Sequence, residues 1–148
     1  MELKEPYKPE EFQAYFKARW EFLRKPLGFP KGSEIDDFEN ISLHVMAVDQ
    51  KDSVLGVGRL TYLPSGEGQI RYMGVDEKFR NKNVGGSILA YLEKEAVKIG
   101  LNRIFLNARN DAIAFYKKNG YDEAGKPFKG FAEIQHVRME KSLGSPEI

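Results

Sequence analysis

The sequence predicts a mixed α/β fold in which a mostly antiparallel sheet of six or seven strands is flanked by about four helices. Three runs rich in β-branched and aromatic residues cover 42–48, 54–63 and 68–75. Short polar turns separate these runs, which predicts an antiparallel meander. Apolar residues then recur at helical spacing over 84–100, and a further strand pattern covers 101–108. Because a helix connects them, the strands before and after it are expected to run parallel.

The N-terminal part is predicted to contain a short strand over 3–7 and a helix that begins near Pro9 and ends before Pro26. Two glutamates follow Pro9 and suit the positive end of the helix dipole. Aromatic residues recur along this helix at the spacing of a core-facing side. The alternative is that Trp20 or Phe22 lines a ligand pocket.

The segment after the first helix combines turn signals with acidic residues. Residues 33–36 have the pattern of a capped helical turn. Four carboxylates fall close together in this part of the chain: Glu34, Asp36, Asp37 and Glu39. They are either solvated loop charges or a cluster whose field attracts a cationic ligand.

The C-terminal part is predicted to be a helix followed by a pair of strands. Helical spacing over 111–119 ends at a glycine, and strand patterns follow over 121–128 and 131–139.

The chain has 148 residues, of which 41% are hydrophobic, which suits a single core. We therefore expect one domain over 1–143 and a flexible tail over 144–148.

Composition argues against several classes of function. The formal net charge is +1 with both signs interspersed, so neither nucleic acid nor a charged membrane surface is an expected partner. The chain has no cysteine, which excludes disulfides, thiolate metal sites and a cysteine acyl intermediate. Two isolated histidines do not predict a metal site. The N-terminus lacks a signal-like apolar stretch and no apolar run approaches ~20 residues, so a cytoplasmic location is expected.

The turn between the strand over 68–75 and the helix over 84–100 is the first candidate site. Backbone N–H groups at a helix N-terminus, together with the helix dipole, form an anion site that suits a phosphate-bearing ligand. Gly85 and Gly86 allow a ligand to approach the backbone, while Asn81 and Asn83 tolerate positive φ. Arg80 adds a positive charge beside the turn.

This turn resembles motif A of the GNAT superfamily of acetyl-CoA-dependent N-acetyltransferases, whose pattern is Arg/Gln-x-x-Gly-x-Gly/Ala. Arg80, Asn83 and Gly85 occupy its three key positions, and Asn83 replaces the usual glycine. Residues 106–121 are similar to motif B, a strand followed by a helix with the pattern A-x-x-F/L-Y-x-K-x-G-F/Y. Many members have an asparagine seven residues before the helix tyrosine, and here that position is Arg109.

The resemblance implies a small single-domain member whose two central parallel strands splay apart. Acetyl-CoA would lie in the gap, its pantetheine pairing with strand backbone and its pyrophosphate taking N–H donors from the turn; no metal is implied. The cofactor-binding residues implied are Met73, Gly74, Val75, Arg80, Asn81, Lys82, Asn83, Val84, Gly85, Gly86, Ser87, Asn107, Asn110 and Tyr116.

The resemblance also implies the chemistry. Because no thiol is available, an acceptor amine is expected to attack the thioester directly in a ternary complex. Tyr116 matches the position that faces the departing thiolate, unless it is only a core tyrosine. His136 is the candidate base or acceptor ligand, against a structural histidine; Glu67, Glu133 or a chain of waters are alternatives.

The acceptor is expected to be the primary amine of a small molecule or peptide. Where some members carry a glutamate on the central strand, this chain has arginine and tyrosine. The candidates on the acceptor side are Arg24, Arg59, Arg71 and Tyr72. A homodimer is possible through an exposed sheet edge. The alternative function is a non-catalytic acyl-CoA-binding or interaction module on the same fold.

Overall fold

The computed structural model describes residues 1–144 and contains eight strands and three α-helices. In chain order they are β1 (Glu2–Lys4), α1 (Pro9–Leu23), β2 (Ser42–Val48), β3 (Val54–Tyr62), β4 (Glu67–Val75), α2 (Val84–Lys98), β5 (Arg103–Arg109), α3 (Ile113–Lys118), β6 (Asp122–Glu123), β7 (Phe128–Lys129) and β8 (Gln135–Ser142). Single turns of 3-10 helix connect several of them. None of the helices within residues 1–144 has the length and apolar character needed to cross a membrane.

All the strands belong to one sheet. Its order is β1-β2-β3-β4-β5-β8-β6, and β7 also pairs with β8. Among the described strands every pairing is antiparallel except that of β4 with β5, which is parallel as predicted. The predicted fold class is confirmed, with one strand more and one helix fewer than the upper estimates.

Two predicted segments differ from the structure. Residues 33–36 do not form a helical turn; the Ser33 hydroxyl donates to the carbonyl of Pro30 instead of capping a helix. The strand predicted over 121–128 is two short strands, β6 and β7, which pair separately with β8. Of the tail predicted over 144–148, residues 145–148 lie outside the described part of the chain.

Helix α2 packs closely on one face of the sheet because β3 carries glycines beneath it. A Cβ atom at Gly56 would lie 2.8 Å from Val84, and one at Gly58 would lie 2.7 Å from Ile88. Larger residues would therefore push the helix away from the sheet. The glycines of β3 serve helix packing, and they fix the N-terminus of α2 beside the end of β4.

Helix α1 covers the opposite face. Tyr15 is fully buried in a cluster with Met46 and Val57, and Phe12 packs at its edge. Because neighbouring residues of a strand point to opposite faces, Val57 meets α1 while Gly58 meets α2. The aromatic side of α1 is thus a core face, as predicted, and the indole N–H of Trp20 donates to the carbonyl of Phe29.

Candidate active site

A cleft opens in the middle of the sheet where β4 and β5 separate. Their pairing joins residues Glu67–Gln69 to Arg103–Phe105 and then stops. Beyond it, a cavity of about 350 Å³ is lined by residues of both strands, of α3, and of the segments around Arg24 and His136. The second half of β4 therefore has no strand partner on its β5 side, so its backbone groups are available to a ligand.

A β-bulge in β4 shapes this cleft. Arg71 pairs with Arg59 and Gly74 pairs with Val57, so two residues of β4, Tyr72 and Met73, lie opposite Gly58 alone. Tyr72 has φ = 57°, which is rare for a bulky residue and has an energetic cost. A bulge bends its strand, and here it coincides with the region where β4 has left β5. Nothing in the sequence indicated it.

Four arginines surround the ring of Tyr72. The guanidinium carbons of Arg19, Arg59, Arg71 and Arg24 lie 4.1, 4.9, 4.9 and 5.3 Å from its centroid. Each distance falls within the range of a cation–π contact. These contacts hold the strained tyrosine in a strongly cationic setting.

The acidic residues before β2 balance two of these arginines inside the protein. Arg19, which is fully buried, donates to Glu39 Oε2 at 2.8 Å. Arg59, 1% exposed, lies 2.6 Å from Asp36 Oδ1 and 3.2 Å from Glu39 Oε2. Arg59 was expected on the acceptor side; its guanidinium contacts two carboxylates, and it does not line the cavity.

Asp36 also bridges towards the cavity. Its Oδ2 atom lies 3.2 Å from Nη1 of Arg71, whose side chain is 40% exposed. Although partial burial raises the pKa of Asp36, hydrogen bonds from Arg59 and from the Phe38 N–H outweigh it and lower the pKa overall. Within the acidic cluster, Asp36 and Glu39 are therefore paired with arginines, while Asp37 is exposed to solvent.

The predicted anion site at the start of α2 has the expected backbone. Asn81 and Asn83 have φ = 68° and 59°, in the left-handed region, and α2 begins directly after them. Arg80 and Lys82 are exposed, and neither forms an ion pair within residues 1–144. A Cβ at Gly85 would lie 3.1 Å from Phe115, so this glycine also allows α3 to pack against the turn.

Tyr116 lines the cavity from α3. Its side chain is 8% exposed, and its ring packs against Phe115 and Tyr121. Its hydroxyl makes no hydrogen bond to another residue in the described chain, whereas that of Tyr121 donates to Glu93. Burial raises the pKa of Tyr116 well above its ordinary value. Tyr116 is therefore a protonated phenol with a free donor at the cleft.

His136 lines the same cavity from β8. Its Nδ1 atom lies 2.6 Å from the carbonyl oxygen of Ile134, and its ring stacks on Phe128. A carbonyl can only accept, so Nδ1 carries the proton and Nε2 has a free lone pair in the neutral ring. The two glutamates considered as bases are elsewhere: Glu67 pairs with Arg138 and Arg103 at the other end of β4, and Glu133 is exposed beside Lys129.

The cavity brings together only part of the predicted site. The candidates that line it are Arg24, Arg71, Tyr72, Met73, Asn107, Tyr116 and His136. Asn110 is exposed in a 3-10 turn after β5 and does not line the cavity. The turn over 80–87 continues from the end of β4 outside the cavity lining. Arg109, which sequence reasoning left undecided, is a lining residue.

Known proteins share both the sequence pattern and this fold. Residues 4–121 match the family model described as acetyltransferase (GNAT) family. The chain is 35% identical to the uncharacterized N-acetyltransferase YjcF of Bacillus subtilis (strain 168) over 132 residues, covering 89% of this chain and 93% of that protein.

Solved structures show the same fold at low sequence identity. An acyl-CoA N-acyltransferase from Pseudomonas aeruginosa superposes with a TM-score of 0.81 at 19% identity, covering 95% of this chain and 97% of that one. An aminoglycoside 6'-N-acetyltransferase complexed with coenzyme A superposes with a TM-score of 0.77 at 19% identity, covering 99% and 100% of the two chains.

Proposed function

We propose that this chain, which belongs to the acetyltransferase (GNAT) family, binds acetyl-CoA and transfers the acetyl group to a primary amine. Family membership identifies it as an acyltransferase. The acetyl donor, the primary amine and a direct attack in a ternary complex are the proposal. The observation that carries it is the separation of β4 from β5 after three residue pairs, with a free tyrosine hydroxyl at the resulting cleft.

The residues present fit coenzyme A in two respects. The open edge of β4 offers backbone N–H and C=O groups, and the amides of pantetheine can pair with such an edge as an added strand would. The turn over 80–87 offers N–H groups at a helix N-terminus and two exposed cationic side chains, Arg80 and Lys82, which suit a pyrophosphate. The neighbour complexed with coenzyme A has the same fold, which supports this assignment.

When bound, acetyl-CoA supplies an activated thioester carbonyl and a thiolate leaving group. We assign to the N–H groups beside the bulge at Tyr72 and Met73 the stabilisation of negative charge on the carbonyl oxygen, because they are fixed in place and lack a strand partner on the β5 side. Since the chain contains no cysteine, the amine attacks the acetyl carbon directly.

Tyr116 stabilises the departing thiolate by a hydrogen bond. Its pKa is raised by burial, while that of a thiol is near ~8.5, so complete proton transfer from the phenol is uphill by more than ~2 kcal/mol. Hydrogen-bond donation needs no such transfer and is the role we assign to this hydroxyl.

His136 is the group that we assign to take the proton from the amine. Its Nε2 atom has a free lone pair, because Nδ1 donates to the carbonyl of Ile134. The arginines of the cavity wall assist, since positive charge lowers the pKa of a nearby ammonium and favours the neutral amine that can attack. This replaces the carboxylate base that the strand lacks.

Amine-dependent release of free CoA tests the proposal. Initial rates are measured while acetyl-CoA and a primary amine are varied together, and a ternary complex predicts intersecting double-reciprocal lines. Parallel lines would contradict direct attack. Saturable binding of acetyl-CoA without release by any amine in a broad panel would instead favour the non-catalytic binding module.

A further inference from the structure

The wall of the cavity has the wrong charge for an acceptor that is only a cation. Three arginines, Arg24, Arg71 and Arg109, line it together with His136, and none of the lining residues of the described chain is acidic. Asp36 and Asp111 lie outside the lining and partly compensate Arg71 and Arg109, at 3.2 and 3.4 Å. A pocket of one charge sign concentrates ligands of the opposite sign. The pocket therefore suits a molecule that carries negative charge.

Arg24 is the clearest sign of such a ligand. Its side chain is 8% exposed, its Nε donates to the carbonyl of Ser33 at 3.1 Å, and its Nη1 contacts the carbonyl of Leu23 at 3.4 Å. Within residues 1–144 no carboxylate lies within 4.0 Å of this guanidinium. Glu34, which is also buried, accepts a hydrogen bond from the Gly32 N–H instead. Buried arginines are rare unless they are paired with an anion.

The residues around Arg24 increase the free-energy cost of leaving its guanidinium without an anionic partner. Burial lowers the pKa of Arg24, and the charges of Arg71 and Arg19 act in the same direction, whereas the neighbouring Tyr72 partly offsets them. Within residues 1–144, the four arginines around Tyr72 share two carboxylates, Asp36 and Glu39, in ion pairs. Both carboxylates contact Arg59, so the cluster keeps a surplus of positive charge on the side of the cavity.

Arg71 supplies the second half of an anion site. In the described part of the chain its one ion pair is from Nη1 to Asp36 at 3.2 Å, and the side chain is 40% exposed where it lines the cavity. A guanidinium has five N–H donors and binds carboxylate or phosphate oxygens with paired hydrogen bonds. Two such groups on one wall can bind a single anionic group.

We propose that the acceptor carries an anionic oxygen group, a carboxylate or a phosphate, in addition to its amine, and that Arg24 and Arg71 bind that group. The inference rests on the proposed function, since it names the substrate class of the same site. A cavity of about 350 Å³ suits a small molecule of this kind.

Matched pairs of small amines test the inference. Linear amino acids from glycine to 6-aminohexanoate are compared with their own carboxamides, and phosphoethanolamine is compared with ethanolamine. Affinity for the CoA-saturated protein is measured by calorimetry, and kcat/KM is measured with acetyl-CoA. At least one anionic compound should bind roughly tenfold more tightly than its neutral partner, and should react with a higher kcat/KM. The pair that shows the larger preference for its anionic member indicates whether the site binds a carboxylate or a phosphate.

Variants assign the preference to the two arginines. Arg24→Gln should bring the ratio of kcat/KM for the anionic substrate to kcat/KM for its neutral partner towards one. Arg71→Gln provides the same test on a more exposed side chain if the first variant does not fold. Arg103→Gln removes an exposed arginine that lies outside the cavity lining, and it should retain the ratio of the parent.

The outcomes separate the two proposals. Neutral amines that bind and react as well as their anionic partners would overturn this inference and leave the acetyltransferase proposal standing. The inference is also wrong if no anionic compound of the panel binds the CoA-saturated parent better than its neutral partner. Failure of the folded parent to bind CoA at all would instead contradict the proposed function.

Discussion

Among the candidate site residues, Tyr116 is the one whose role is defined most closely by its contacts. Its ring is fixed by two aromatic neighbours, while its hydroxyl has no partner in the described chain and lines the cleft. A donor placed in this way is available to a bound ligand. We expect Tyr116→Phe to lower kcat by ~100-fold or more, because it removes one preorganised donor to developing charge.

The KM for acetyl-CoA should change little in Tyr116→Phe, since the donor acts on charge that appears only in the transition state. Tyr121→Phe is the matched control. It also deletes a buried phenol oxygen, here one that donates to Glu93 at 2.8 Å, but it does not line the cavity. It should cost about 1 kcal/mol of stability and leave kcat unchanged. Equal losses of kcat in the two variants would show that Tyr116 acts through packing alone.

Helix α1 is attached to the sheet by buried charges as well as by its aromatic face. Arg19 of α1 and Arg59 of β3 share the carboxylate of Glu39 at 2.8 and 3.2 Å. Removing that carboxylate would leave two buried cations with less compensation. We therefore expect Glu39→Gln to lower the free energy of unfolding by about 3 kcal/mol or more, measured by urea denaturation.

Glu21→Gln, on helix α1 itself, is the control for an exposed ion pair. Glu21 makes a wide, exposed pair with Lys17 at 3.9 Å, and such pairs contribute less than ~1 kcal/mol. If both variants lost the same small amount of stability, the buried pairs would not be what attaches α1. Arg24 stands at the end of this helix, so its position depends on how firmly α1 is held on the sheet. Glu39→Gln should therefore also weaken acceptor binding.

The sequence predicted the elements whose signal is local. The runs rich in β-branched and aromatic residues that form β2, β3 and β4, with the short polar turns between them, were enough to predict the meander. The asparagines at 81 and 83 indicated left-handed backbone because few other residues adopt it. The resemblance to known motifs then located the cleft between β4 and β5.

The sequence could not show which charges meet across the fold. Asp36 pairs with Arg59 and Arg71, which lie 23 and 35 residues away in the chain. No local pattern encodes these partners, so Arg59 was assigned to the acceptor and the acidic cluster was left undecided. The bulge at Tyr72 was missed for a similar reason, since its conformation depends on packing around the ring and not on a turn-forming residue.

Stability of the chain should depend on pH through His44. His44 belongs to β2, and its buried ring packs against α1. Its Nδ1 atom lies 2.9 Å from the Tyr15 hydroxyl, and Nε2 lies 2.8 Å from the Glu39 carbonyl. Burial lowers its pKa below 6.5, although the hydrogen bond to Glu39 acts in the opposite direction, and nearby Arg19 lowers it further. The folded protein therefore keeps this histidine neutral at a pH where the unfolded chain binds a proton.

Because the unfolded state binds more protons in this range, the free energy of unfolding should fall as pH decreases from about 7.5 to 5.5. We expect His44 to account for up to about 1 kcal/mol of this loss, measured from urea denaturation midpoints. His44→Gln keeps a polar group at this position but does not titrate, so its stability should vary less over the same interval. A variant that retained the full pH dependence of the parent would contradict this assignment.

The proposed acetyl transfer requires that coenzyme A binds at the cleft and at the turn before α2. Calorimetry with acetyl-CoA, comparing the parent with Arg80→Glu and Lys94→Glu, tests this most directly. Both variants make the same charge change at an exposed residue, but Arg80 stands at the turn and Lys94 lies further along α2. The account predicts saturable binding by the parent and by Lys94→Glu, with affinity roughly tenfold or more weaker in Arg80→Glu. A folded parent that shows no saturable binding would contradict it.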